Sequence, residues 1–189
     1  MAAYKDLIGQ KITKVTSNPG EPKTGQMWYN STDGKLRGLG IISAWSSSSP
    51  MTFGREWGSS GIGTQAANIV AGGYDYNPDA RTAQTEEYNG SGWENITNIN
   101  VVKYVAGGTG STTAGLVFGG SSPPFTADTE EWNGSSWVEV ANLNLARGSG
   151  GNTGSTSSSI YAGGTSPPGV RSEAEEWSST SSTIKVLTD

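Results

Sequence analysis

The stretch "TEEYNGSGW", Thr85 to Trp93, returns almost letter for letter as "TEEWNGSSW", Thr129 to Trp137. A segment written twice inside one chain is built to fold twice in the same way. Its surroundings repeat too. "IVAGG" ends at Gly73, "LVFGG" at Gly120 and a third copy, "IYAGG", at Gly164, which leads to "AEEW" at Ala174 to Trp177. Glu86, Glu130 and Glu175 therefore stand 44 and 45 residues apart. Self-similarity at such a period marks an array of like units, each burying its apolar face against a neighbour.

A second register runs alongside the first. Trp45, Trp93 and Trp137 each precede a basic residue by ten positions: Arg55, Lys103 and Arg147. Trp45 is thus expected to close a partial copy whose earlier strands lie in "QMWYNSTDGKLRG", Gln26 to Gly38. The third copy has no second Trp and ends in an Ile184–Val186–Thr188 alternation. Within each copy the signals are β. Short apolar runs stop at the pairs Gly72–Gly73, Gly119–Gly120 and Gly163–Gly164, which suits a buried strand whose turn needs positive φ. Asn-Gly then marks a tight reversal before the next Trp. About four strands in roughly 45 residues is the period of a propeller blade, and no segment has a sustained helical period. The expected fold is all-β, with three full copies at about 54–100, 101–144 and 145–189. A segment at 1–38 precedes the repeat domain at 39–189.

Composition narrows the function. Net charge is −5 with no cluster of Lys or Arg, which speaks against nucleic acid. There is no Cys and no His, so Ser-His and Cys-His pairs and the usual zinc and copper sites cannot be assembled. No long apolar run suggests a signal peptide or membrane insertion.

A hydrophobic strand, a Gly-Gly pair, Tyr88 and Trp93, then Lys103 or Arg147 at the start of the next unit resembles the kelch motif of β-propellers over about residues 40–189. The segment "NPGEPKTGQMWYNSTDGKLRGL" looks like the opening of bacteriophage tail and fibre proteins. Together these resemblances imply a non-enzymatic structural protein of a tailed-phage virion, assembled in the host cytoplasm and completed by oligomerisation. The implied partners are copies of itself and neighbouring virion proteins, with no cofactor; the alternative expectation is a carbohydrate-binding adhesion module that recognises host surface glycan.

Candidate chemistry is sparse. The pairs Glu86–Glu87, Glu130–Glu131 and Glu175–Glu176 invite comparison with glycosidase carboxylates. Neighbours on a strand point to opposite faces, so a structural role is expected, with Arg55, Lys103 or Arg147 as partners between copies. "GGTGSTTAG" and "GSGGNTGST" lack the phosphate-loop lysine. Asp75, Asn77 and Asp79 alternate in "YDYNPDA" without the completion of a calcium loop. Asp33, Asp75 and Asp79 are the carboxylates outside the repeat that an enzyme would use. Candidate contact residues are Trp28, Trp57, Tyr74, Tyr76 and Phe125, and the loops Tyr74–Gln84, Ser121–Thr129 and Thr165–Ala174 are where recognition is expected.

Overall fold

A computed structural model describes residues 12–23, 25–39, 45–58, 61–76 and 79–179. All regular structure among them is β. The chain divides into two compact units, Met1–Ser47 and Ser48–Asp189.

In the first unit, β1 (Thr13–Val15) pairs in parallel with β2 (Met27–Asn30), which forms a hairpin with β3 (Lys35–Gly38). The reversal follows from "STDG": Asp33 accepts the Lys35 amide and Gly34 takes φ 66°. Trp28 faces inward and is buried, its indole N–H donating to Asn18 Oδ1 at 3.2 Å.

The second unit holds three antiparallel sheets made by successive copies. The first runs β4 (Ile62–Gly63), β5 (Asn68–Asp75), β6 (Ala80–Tyr88), β7 (Trp93–Ile96). The second repeats it as β8 (Gly107–Gly110), β9 (Gly115–Phe118), β10 (Thr129–Trp132), β11 (Trp137–Glu139). The third contains β12 (Gly151–Gly154), β13 (Ser158–Ala162) and β16 (Ala174–Ser178). A small hairpin of β14 (Thr165–Ser166) and β15 (Gly169–Val170) fills its second crossover. The Ile184–Val186–Thr188 alternation lies outside the described residues.

Local sequence accounts for this shape. Each Gly-Gly pair has two positive φ angles, 66° and 121°, 62° and 100°, 67° and 102°; it directly follows β9 and β13, and in β5 it makes the register shift between Ala71 and Gly73. Non-Gly residues avoid two such steps in succession, so the pair fixes where the strand leaves its sheet. Asn89 and Asn133 then close the four-residue reversals, their side-chain oxygens accepting amides two and three residues on.

Ile69 and Ala71 of β5 join Val117, Trp132 and Trp137 of the second sheet in one buried cluster. Leu116 and Phe118 of β9 join Tyr161 of the third in another. The core is therefore the set of interfaces between consecutive sheets. Phe118 and Tyr161 meet edge to face at 5.2 Å, a favoured geometry for aromatic pairs.

Candidate functional site

The repeated glutamates are tied into the fold. Glu130, fully buried, accepts from the Asn100 amide at 2.7 Å, the Asn100 side chain at 2.9 Å and the Val101 amide at 3.1 Å, and pairs with Lys103 at 3.3 Å. Glu86 accepts from the Thr52 amide and hydroxyl and pairs with Arg55. Glu175 accepts from the Asn144 amide and side chain and the Leu145 amide, and pairs with Arg147. Each carboxylate thus clamps the segment entering its own sheet. The pairs form within a copy, which corrects the expectation that they would bridge copies. The reason is that each cation lies at the entry to the sheet whose third strand bears its glutamate.

Burial lowers the Lys103 ammonium below its ordinary pKa, and Glu130 restores part of that loss. For Glu175, burial alone would raise the carboxyl. The Asn144 amide and the Arg147 guanidinium outweigh it and hold the group below its usual value. Carboxylates whose lone pairs are filled by the fold are poor general acids or bases, because a substrate must displace those donors.

Backbone bonds bridge the copies, beside side-chain bonds such as Thr109 Oγ1 to Gly154 O at 2.6 Å. The Gly73 amide donates to the Lys103 carbonyl at 2.9 Å, and the Gly120 amide to the Arg147 carbonyl at 2.8 Å. The glycine pair is a cradle in which the next cation's carbonyl sits, and a Cβ on Gly119 would stand 2.5 Å from the Arg147 oxygen. At the third copy this contact is missing among the described residues: a Cβ on Gly163 would meet Arg171 O at 3.4 Å and no carbonyl from a following sheet. The apolar residues beside it follow suit. Ile69 and Leu116 are fully buried, whereas Ile160, at the same place in the third sheet, is 38% exposed.

A second feature gathers around Trp57. Trp57, Val105 and Ser149 occupy equivalent positions two residues after the basic residue, all with positive φ of 51–60°. The Ser149 amide donates to Val105 O at 2.9 Å and the Val105 amide to Trp57 O at 2.7 Å, so the three form a backbone ladder across the sheets. On it Trp57, Tyr74, Tyr76 and Tyr104 form one aromatic group with centroid separations of 5.1–6.3 Å. The Tyr74 hydroxyl donates to Asp79 at 2.6 Å and that of Tyr76 bonds Glu56, and each bond raises its phenol's pKa. Tyr104 and Glu56 escaped the sequence reading, because the position after the basic residue holds a different residue type in each copy: Glu56, Tyr104, Gly148.

The other candidates separate. Trp137 is buried and donates to Thr97 O at 3.0 Å, and Trp93, half-buried, donates to Ser49 O at 3.2 Å. Trp45 is fully exposed, so it does not close a partial copy; it and the Gln26–Gly38 hairpin both belong to the first compact unit, Met1–Ser47, while the repeated sheets make up the second. Trp28 is a core residue, not an exposed contact. Phe125 is half-buried, bridged to Ser121 and close to Gly148, so it packs where the third copy begins. Asp33 pairs with Arg37, and Asn77 lies outside the described residues. Among the described residues no cluster of acidic side chains suits a metal ion.

These features define an all-β protein of repeated antiparallel sheets with buried carboxylate–cation knots. No protein-family model matches the chain, and no curated protein matches it. Among solved structures it is similar in fold to one titled "Structure of YjhT", with a TM-score of 0.54 and 14% identity. The match covers 77% of this chain and 47% of that one, so the chain spans about half the length of the structure it matches.

Proposed function

We propose that this chain is a segment of a kelch-like β-propeller acting without catalysis, as a structural component of a bacteriophage virion that assembles with further copies of itself. Each sheet is then a blade, and the tail, a fibre or a decoration layer is the setting that the likeness of the N-terminal segment to phage tail and fibre proteins favours. That segment docks on neighbouring virion proteins, while the blade loops face outward. The observation that carries the assembly reading is the bare face of the third sheet. Among the described residues, no carbonyl from a following sheet sits against Gly163 as one does against Gly72 and Gly119, and Ile160 is partly exposed where Ile69 and Leu116 are buried. A surface that buries itself twice within a chain is complementary to another copy of the sheet that covers it. Such heterologous contacts build rings or stacks.

Light scattering of the full chain is expected to give a multiple of the 19.6 kDa chain mass. Ile160→Asp, at a side chain that is partly exposed within the chain, is expected to return the mass to one chain while leaving the β spectrum unchanged. A wild-type chain that stays monomeric at micromolar concentration defeats this reading.

A further inference from the structure

The aromatic group around Trp57 is not required by the repeat. Where the first copy has Trp57, the others have Val105 and Ser149; where it has Tyr74, they have Ser121 and Thr165; where it has Tyr76, they have Pro123 and Pro167. The second and third sheets fold with small or non-aromatic residues at all three positions, so architecture does not explain the rings. The first copy also lengthens its central hairpin. β5 and β6 span eight and nine residues against four and four for β9 and β10, which carries Tyr74 and Tyr76 beyond the turn of the other copies.

The rings are presented, not hidden: Trp57 is 49% exposed and Tyr76 63%. They touch one another in tilted and edge-on pairs, so no slot opens between them for a cation or a flat ring to enter. A ligand must lie on top. The hydroxyls of Tyr74 and Tyr76 are held by Asp79 and Glu56, which fixes both rings before anything binds; Asp79 is exposed and offers the rim an acceptor, while Glu56 Oε1 is buried. Two carboxylates against Arg81 leave that rim acidic and unfavourable to an anion.

We infer that Trp57, Tyr74, Tyr76 and Tyr104 form a stacking platform for an uncharged pyranose of a surface glycan, its C–H face on the rings and its hydroxyls donating to the Asp79 carboxylate at the rim. A pyranose has one apolar face and a polar edge, the division this surface presents, and its hydroxyls are the donors that the exposed Asp79 carboxylate accepts.

The test is a glycan array probed with the assembled protein, spotted with neutral and sialylated oligosaccharides, followed by calorimetric titration of the hits. Binding to neutral glycans is expected, and Tyr76→Ala is expected to weaken it roughly tenfold, the upper range for a lost aromatic contact. Tyr76 sits at an exposed turn, so this variant keeps its fold, and Val138→Ala, an exposed residue of β11, serves as the unchanged control. No bound glycan, binding to sialylated glycans alone, or an undiminished Tyr76→Ala overturns the proposal. Its outcome is independent of assembly, which Ile160→Asp reads separately.

Discussion

Replacing Gly119 with Ala is expected to cost more than about 3 kcal/mol, while the same change at Gly163 costs only about 1–2 kcal/mol. Both glycines sit at the same place in the repeat, with φ of 62° and 67°, so both share the cost of forcing an L residue into the left-handed region. They differ in what the new methyl meets. At Gly119 it would lie 2.5 Å from the Arg147 carbonyl and 3.0 Å from Leu143 Cδ1, and a backbone oxygen cannot swing aside as a side chain can. Relief requires the third copy to retreat, which breaks the 2.8 Å bond from Gly120 to Arg147 and opens the Phe118–Tyr161 contact. At Gly163 the nearest atom among the described residues, Arg171 O, is 3.4 Å away, an ordinary contact distance. Urea unfolding of the dilute chain reads the difference as a shift in midpoint at constant slope. Equal losses at the two sites would mean that the cradle does not set the spacing of the sheets. Under conditions of self-association, Gly163→Ala is expected to weaken assembly further, since an incoming carbonyl would meet a methyl that meets no such group in the isolated chain.

That contrast bears on how far the fold could be read from the letters. The period was legible because the residues that fix it, Gly72–Gly73 with its equivalents and Glu86 with Glu130 and Glu175, are of types that few other positions tolerate. The direction of the contacts was not. A 44-residue spacing says that Arg55, Lys103 and Arg147 recur, but it does not say whether each reaches its own sheet or the next. The contact that joins copies uses the Lys103 and Arg147 carbonyls, and a carbonyl leaves no trace in residue type. Trp45 keeps the ten-residue spacing to Arg55 yet is fully exposed, because spacing alone does not supply a strand to cover it. Trp28 was misplaced for the opposite reason: its partner Asn18 lies ten residues away in a segment without a pattern. Tyr74 and Tyr76 stood out as i, i+2 aromatics in a loop, whereas Tyr104 joins them only through the sheet-to-sheet ladder from Trp57 to Val105.

Removing the Glu130 carboxylate is expected to be more damaging than removing its lysine. Glu130→Ala should cost about 3–5 kcal/mol, because it leaves the Lys103 ammonium buried with only the Asp128 carbonyl at 3.3 Å. It also orphans the Asn100 and Val101 amides, each worth about 1–3 kcal/mol when buried without a partner. Lys103→Met takes away one of four donors to Glu130 and leaves three, at 2.7, 2.9 and 3.1 Å, to hold the charge, while the methionine fills the same channel. Its cost is therefore expected to be about 1–3 kcal/mol. The double variant should fall below the sum of the two, since the stranded ammonium is gone, yet remain well below wild type because the two amides stay unpaired. Such a cycle yields a coupling of about 1–3 kcal/mol between residues in one network. Glu175→Ala should be milder than Glu130→Ala, because the Glu175 side chain is 14% exposed and water can take over part of its work. Chemical denaturation of the four variants decides the matter. If Lys103→Met proves as costly as Glu130→Ala, then the cation, and not the carboxylate that gathers the entering segment, is the centre of the knot.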